Sequence, residues 1–348
     1  MEAAMATGVY YSDACLLHDT GNHPESRARL QAVMARLRAA DLPGVAFLDA
    51  PAADLSLVRT VHSPSYLDRV VRKARQGGGT LDAGDTVVSA GSLEAALHAV
   101  GAAVEAAEAV AEGRLGNAFV AVRPPGHHAT PSEGMGFCIF NNLAIAARNL
   151  LDRGLASRIA VVDFDVHHGN GTQDIFYGDP SVLFFSTHQM PLFPGSGRYS
   201  ETGRGRGEGY NVNVPLPPGV GDDGYLYVLD HVVGPLLRRY RPDMLLVSAG
   251  YDPHWMDPLA SMAVTVPGFR QMATRIKDLA AVLCGGKMAW VLEGGYDLRA
   301  LAAAVEATVR VLAGSDLEVE DPHGVPSGGG GIGLVEGVVS DVRRLHGL

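Results

Sequence analysis

Four short apolar runs recur along this chain of 348 residues, with longer stretches that favour helix between them. The runs are Ala118 to Val122, Ile159 to Phe164, Met244 to Ser248 and Met288 to Leu292. Runs of this length that are apolar throughout are typical of strands buried on both faces of a parallel sheet. The alanine-rich stretches Leu93 to Ala111 and Asn142 to Leu151 have the composition of helices. The sequence therefore predicts a doubly wound α/β sandwich.

A glycine-rich polar turn follows each of the four predicted strands. In chain order these turns contain the sequences RPPGHH, DVHHGNG, AGYD and EGGY. Parallel α/β sheets bind their ligands outside the carboxyl ends of the strands. We therefore expect the four turns to contribute to one shared site.

The second strand and its turn, IAVVDFDVH, indicate a metal site. Side chains alternate along a strand, which predicts that Asp163, Asp165 and His167 share one face. Two carboxylates there would repel each other unless a cation or hydrogen bonds intervene. Asp165 and His167, with Asp252 from the third turn, would suit zinc or a similar ion and leave a position for water or substrate. The alternative is a helix cap at Asp165 and a core histidine at His167, which the further polar residue His168 in the same turn disfavours.

The first and fourth turns supply candidates for acid–base chemistry. His127 and His128 follow two prolines and a glycine, which would hold both imidazoles in defined positions. Imidazole is the usual general acid or base near neutral pH, and Asp163 and Asn170 could fix the tautomers. Tyr296 could stabilise a developing oxyanion. A solvated histidine loop or a second metal site, and a packed tyrosine, are the alternatives left open.

Composition restricts the class of protein. The 47% hydrophobic content suffices for a large core, and 19% charged residues is too low for a disordered chain. A net charge of -10 argues against nucleic acid as a partner. Three widely spaced cysteines argue against a disulfide framework. We see no signal peptide and no apolar run long enough for a membrane helix, and therefore expect a soluble cytoplasmic protein without a membrane partner.

Six motifs, taken together, resemble the histone deacetylase family, in a form like that of class II and the bacterial histone deacetylase-like amidohydrolases. They are RPPGHHA, GFCIFNN, DFDVHHGNGTQ, FPGSG, SAGYDPH and EGGYD, in the family's order between about His23 and Ala313. The resemblance implies an arginase/deacetylase-like three-layer fold with a central, mainly parallel sheet of about eight strands. It also implies one catalytic domain over residues 1–348, with a core at about 8–313. A glycine-rich loop, including Gly328 to Gly331, and a short final helix would complete residues 314–348.

The resemblance also implies roles for individual residues. Zinc would be held by Asp165, His167 and Asp252. The catalytic groups would be His128 as general base and acid, His127 paired with Asp163, Asn170 beside His128, and Tyr296 as donor to the substrate carbonyl. Substrate would be contacted by Gly136, Phe137, Phe193, His188 and Leu259. A structural potassium ion would be held by Asp163, Asp165, His167, Ser186 and Thr187.

Several functions remain in competition at this point. Zinc-dependent removal of an acyl group, acetyl above all, from acyl-lysine-like amides is the main hypothesis. Deacetylation of acetylpolyamines or other small amides is the alternative, although Leu259 stands where a polyamine-selective relative has a glutamate. A ureohydrolase with two manganese ions is rejected, because Gly169 stands where that site needs a carboxylate. A non-catalytic metal-binding module is disfavoured by the presence of Tyr296 and both histidines. The sequence leaves open the acyl group, the amine and the oligomeric state, a homo-oligomer included.

Overall fold

An eight-stranded sheet, parallel throughout, runs through the centre of the molecule. The computed structural model describes residues 5–326 and 330–348. The strands in chain order are β1 (Thr7–Tyr11), β2 (Val45–Asp49), β3 (Gly78–Thr80), β4 (Val87–Ser89), β5 (Asn117–Val120), β6 (Ile159–Asp163), β7 (Val182–Gln189), β8 (Asn211–Leu216), β9 (Met244–Ala249) and β10 (Met288–Leu292). The large sheet has the order β2-β1-β5-β10-β9-β6-β7-β8, while β3 and β4 pair separately as an antiparallel hairpin.

Helices cover the sheet and complete the predicted three-layer arrangement. They are α1 (Arg27–Ala39), α2 (Leu55–Val58), α3 (Pro64–Arg75), α4 (Ser92–Ala111), α5 (Asn142–Asp152), α6 (Asn170–Phe176), α7 (Asp222–Val228), α8 (Gly234–Tyr240), α9 (Val266–Cys284), α10 (Leu298–Leu312) and α11 (Glu336–His346). Helix α4 packs on α5, and α10 packs on both α1 and α9. Within the described residues, each helix is too short or too polar to cross a lipid bilayer.

The four strands predicted from apolar runs are the four neighbours at the middle of the sheet, β5-β10-β9-β6. Every residue of these strands is buried, as expected for strands covered on both faces. The polar turns that follow them therefore lie side by side at one edge of the sheet. Asp297 then caps α10, accepting hydrogen bonds from the backbone N–H groups of Arg299 and Ala300, so Tyr296 lies just before the helix.

One argument from strand alternation is wrong. Strand β6 ends at Asp163, one residue earlier than predicted, and residues 164–169 form an irregular turn. Backbone turns, not alternation, therefore place Asp165 and His167. The predicted final helix is α11, whereas half of the predicted loop Gly328 to Gly331, residues 328 and 329, lies outside the described residues.

Candidate active site

Asp165, His167 and Asp252 converge at the carboxyl ends of β6 and β9. Their ligand atoms all lie within 4.8 Å of one another. His167 Nδ1 is 3.1 Å from Asp165 Oδ1 and 3.2 Å from Asp252 Oδ2. Each carboxylate also accepts a backbone hydrogen bond, from Gly294 to Asp165 (2.8 Å) and from Val166 to Asp252 (2.9 Å). These bonds orient two oxygens and one nitrogen toward a common point.

The electrostatics of this group fit a divalent cation. Burial alone would lower the pKa of His167, but its hydrogen bonds to Asp165 and Asp252 raise that pKa to about 10. Burial and the charge of Asp165 raise the pKa of Asp252. A proton on His167 thus offsets two buried negative charges at the place where a metal ion would do so. Carboxylate oxygen and imidazole nitrogen are suitable ligands for zinc.

The two adjacent histidines of the RPPGHH turn have different partners. His127 Nδ1 donates to Asp163 Oδ2 at 3.0 Å, whereas His128 lies 2.8 Å from Asn170 Oδ1 through its own Nδ1. Because an amide oxygen only accepts, the proton of neutral His128 belongs on Nδ1. Its Nε2 is then an acceptor.

Opposite pKa shifts distinguish the two imidazoles. Burial would lower the pKa of His127, but the charges of Asp165 and Asp163 raise it to about 10. The pKa of His128 is far below its usual value because of burial and the nearby His127 and His167. His127 is therefore expected to be cationic and His128 neutral near pH 7. A neutral imidazole with an open acceptor nitrogen has the state required of a general base.

A narrow cavity of about 250 Å³ leads from the surface to His128 and His167. It is lined by Asp85, His128, Gly136, Phe137, His167, Leu192, Phe193, Leu259 and Tyr296. The ring of Phe137 packs edge-on to Tyr296, with centroids 5.8 Å apart, and Phe193 packs edge-on to His128 at 5.1 Å. These aromatic walls suit an unbranched apolar chain.

Gly136 is required where the wall of this cavity, here called the tunnel, passes His128. Its φ angle is +54°, and a Cβ atom there would lie 2.4 Å from His128 Cδ2 and 2.8 Å from Phe193 Cε1. The next residue, Phe137, also has a positive φ, of 69°. A non-glycine residue with positive φ is uncommon, and such residues cluster at functional sites. The backbone here is arranged to bring the Phe137 ring into the tunnel.

Tyr296 is held from two sides. Its backbone N–H donates to Asp257 Oδ2 at 2.7 Å. The guanidinium of Arg29 lies over the phenol ring, 4.9 Å from its centroid. Arg29 also donates to the carbonyl oxygens of Gly295 (2.6 Å) and Glu293 (2.5 Å), so it fixes the turn as well as the ring. The phenol thus lines the same cavity as His128 and His167.

The structure brings most of the predicted residues together, but His188 is an exception. His188 is buried, and its ring nitrogens lie 3.0 Å from Ser186 Oγ and 2.8 Å from the Gly197 carbonyl oxygen. His188 therefore supports the loop that carries Gly197 and is not among the residues that line the cavity, so its contact with substrate stays a prediction. Ser186 is the register partner of Asp163, whereas the side chain of Thr187 faces the other side of the sheet.

The sequence does not single out several residues that complete the site. Asp85 lines the tunnel from the loop between β3 and β4. Asp257 also accepts from the backbone N–H of Leu259 at 2.9 Å. Arg29 reaches the site across 264 to 266 positions in the chain, so no local pattern reveals it. Only Glu293 left a signal, since an acidic residue directly after a buried strand needs a reason to be there.

Comparisons with known proteins agree with this geometry. Residues 23–312 match the model of a family described as the histone deacetylase domain. A probable deacetylase of Archaeoglobus fulgidus is 43% identical over 325 residues, which cover 92% of this chain and 90% of that protein. The histone deacetylase-like amidohydrolase of Pseudomonas aeruginosa is 37% identical, over 91% of this chain and 88% of its own. The crystal structure of the HDA15 HD domain superposes with a TM-score of 0.89 at 35% identity, covering 99% of this chain and 95% of that one.

Proposed function

Because this chain belongs to the histone deacetylase family, we propose that it is a zinc-dependent amidohydrolase that removes acyl groups, acetyl above all, from acyl-lysine-like amides. The observation that carries the proposal is the grouping at the end of one tunnel. A neutral imidazole, a phenol and three converging metal ligands all reach that point. This set matches the requirements of amide hydrolysis by activated water.

Asp165, His167 and Asp252 would hold the zinc ion. When bound, the ion would polarise an acyl carbonyl and lower the pKa of water. Three protein ligands leave room for that chemistry. Gly169 supports a single metal, because a Cβ atom there would lie 2.2 Å from Asp163 Oδ2. The turn therefore has no room for the further carboxylate of a two-manganese ureohydrolase.

The side chains divide the proton transfers between them. His128 Nε2 would accept a proton from the attacking water and return it to the leaving amine, while Asn170 fixes the tautomer. Tyr296 would donate a hydrogen bond to the carbonyl oxygen as negative charge develops there. His127, held in its cationic form beside Asp163, would add positive charge near the reaction centre.

The walls of the tunnel support an acyl-lysine-like substrate. The methylene stem would lie between Phe137 and Phe193, with Leu259 at the rim and the carbonyl of Gly136 facing the substrate amide. Asp85 is the observation that favours the second candidate, a cationic acetylpolyamine, because its carboxylate lines the same cavity. In an acyl-lysine peptide the group near Asp85 would be the peptide backbone, whereas in an acetylpolyamine it would be a second amine.

We also propose a structural potassium ion beside the zinc site, held by Asp163, Asp165, His167, Ser186 and Thr187, with Thr187 contributing its backbone carbonyl oxygen because its side chain faces the other side of the sheet. Asp163 and Ser186 are paired positions on β6 and β7 and are fully buried, which supports a cation there. The zinc and potassium sites belong to one catalytic domain over residues 1–348 in this proposal.

The function is tested by turnover of acetyl-lysine peptides, longer acyl-lysines and acetylpolyamines on the zinc-loaded protein. We expect acetyl-lysine peptides to be hydrolysed fastest, and Tyr296→Phe to lower kcat by about 10² to 10³, as when one oxyanion donor is removed. Tyr251→Phe is the matched control, because Tyr251 is a buried tyrosine that bonds Thr308 away from the tunnel. Full turnover by the Tyr296 variant would overturn the mechanism, and faster polyamine turnover would favour the second substrate.

A further inference from the structure

Glu293 is a fully buried carboxyl group at the end of β10, directly beneath the histidine turn. Its Oε2 atom accepts two consecutive backbone N–H groups, those of Gly126 (2.6 Å) and His127 (3.1 Å). Its Oε1 atom has no hydrogen-bond partner among the described residues. Within the described residues, Oε2 therefore accepts all of the hydrogen bonds that this carboxyl group makes.

The position is costly for an acidic residue. Burial raises the pKa of Glu293 to about 7, against the opposing effects of His127 and the two backbone bonds. An apolar side chain of the same size would avoid that cost, but it would leave both N–H groups buried without an acceptor. The residue type is therefore explained by the two backbone donors that it satisfies.

The same residue also belongs to the tyrosine turn. The carbonyl oxygen of Glu293 accepts from Arg29 Nη2 at 2.5 Å, and Arg29 lies over the ring of Tyr296. The Glu293 side chain therefore reaches the turn that carries His127 and His128, while its backbone is part of the turn that carries Tyr296. No other hydrogen bond between side chain and backbone joins these two turns within the described residues.

We infer that Glu293 is a positioning residue that sets the distance between the acid–base pair and Tyr296, through the acceptor oxygen it presents to Gly126 and His127. The inference rests on the proposed function, because it concerns the placement of that function's catalytic groups. A small displacement is sufficient to matter, since an error of about 1 Å in a catalytic group can cost about 10² in rate.

Two variants of matched length test the inference. Glu293→Gln keeps an oxygen that can accept both N–H groups but removes the charge, and Glu293→Met fills the space without an acceptor. We expect the Gln variant to stay within about 3-fold of the original kcat, and the Met variant to lose about 100-fold. KM and zinc content should change little in either, because neither substitution touches the tunnel wall or the metal ligands.

The outcomes are distinguishable. Equal losses in both variants would show that charge matters and overturn the inference, as would full activity of the Met variant. If the Met variant does not fold, Glu293→Asp takes its place, because the shorter side chain keeps the charge but withdraws the acceptor. The imidazole NMR signals of His127 and His128 give a second readout without turnover: they should shift with Met and not with Gln. If the proposed function is wrong, the unmodified protein will be inactive on every substrate, while the imidazole signals of the Met and Gln variants will still differ from each other.

Discussion

His62 is a buried histidine whose two ring nitrogens both serve the structure. Its Nδ1 donates to the carbonyl oxygen of Thr130 at 2.9 Å, and its Nε2 accepts from the backbone N–H of Asn141 at 2.9 Å. Asn141 caps α5 through a bond from the N–H of Ala144. His62 therefore links the chain just beyond His127 and His128 to the start of a helix, and it can do so only in the neutral form.

The environment of His62 predicts that the protein loses stability in acid. Burial lowers the pKa of His62 from 6.5 to about 4. The contribution of neutral His62 to the free energy of unfolding is fully present above pH 6.5. It is lost as pH falls toward 4, because the unfolded chain then binds a proton at His62 more readily than the folded chain does. At about 1.4 kcal/mol per pKa unit, the loss is about 3 kcal/mol. The free energy of unfolding in urea, measured from pH 7 to 4 with a chelator present, checks it.

His62→Gln is the control for that measurement. Its amide can donate to Thr130 and accept from Asn141, yet it does not titrate. The unmodified protein should therefore lose about 3 kcal/mol more unfolding free energy than the Gln variant as pH falls from 7 to 4. Parallel pH profiles would contradict the assignment.

Among the elements, the loop between β7 and β8 carries one wall of the tunnel. Residues 190–210 contain Phe193 and include only one short 3₁₀ turn. The carboxylate of Glu201 holds the loop, accepting from the backbone N–H groups of Gly197 and Arg198 (3.2 Å each) and from the side chain of Gln173 (2.8 Å). The position of the Phe193 ring in the tunnel wall thus depends on an acidic residue outside the tunnel.

Glu201→Ala should therefore weaken substrate binding more than chemistry. Loss of hydrogen bonds to a charged acceptor costs about 1.5 to 3 kcal/mol each, partly recovered by water, so we expect KM to rise about 10-fold with kcat within about 3-fold. Steady-state kinetics check this. Glu208→Ala is the matched control, because that carboxylate bonds Thr202 within the same loop. An equal effect of both variants would mean that Glu201 has no special part in holding the wall.

Elements were predictable from sequence where the signal is local. Strand β10 has the predicted bounds because its apolar run is flanked by a charged residue on each side, Lys287 before it and Glu293 after it. Strand β7 went unpredicted, since its polar end, residues 186–189, resembles a turn. The convergence of Asp165, His167 and Asp252 was predicted from residue type, although the strand argument for it was wrong. Asp257 was missed because its partner, Tyr296, is 39 residues away, and no local pattern in the sequence reveals such a contact.

At the scale of the whole molecule, four turns from distant parts of the chain meet at one edge of the sheet, and two buried carboxylates meet there with them. Asp165 and Asp252 are both buried close to each other, and each raises the cost of the other's charge. A bound cation removes that cost, so metal binding and stability are linked.

Metal removal should therefore destabilise the protein, and Asp252→Asn should abolish the effect. With zinc at about 1,000 times its Kd, linkage gives about 4 kcal/mol over the chelated protein. The Asn variant should gain less than about 1 kcal/mol from zinc, and in chelator it should be at least as stable as the unmodified chain, because one of two repelling charges is gone. Denaturant unfolding with and without chelator measures both. Asp68→Asn, on an exposed face of α3, is the control, and an unchanged zinc effect in the Asp252 variant would refute the ligand assignment.

Strand β10 is the last of the eight strands along the chain, yet it lies between β5 and β9 near the middle of the sheet. During synthesis, the earlier strands can form only two separate ribbons, β2-β1-β5 and β9-β6-β7-β8. Each ribbon presents an unpaired edge until residues 288–292 leave the ribosome, and such edges invite association with other chains. The segment that closes the gap also brings Glu293 and Tyr296. A chain interrupted before that point is thus prone to aggregate and lacks Tyr296, so one segment both closes the sheet and completes the lining of the tunnel.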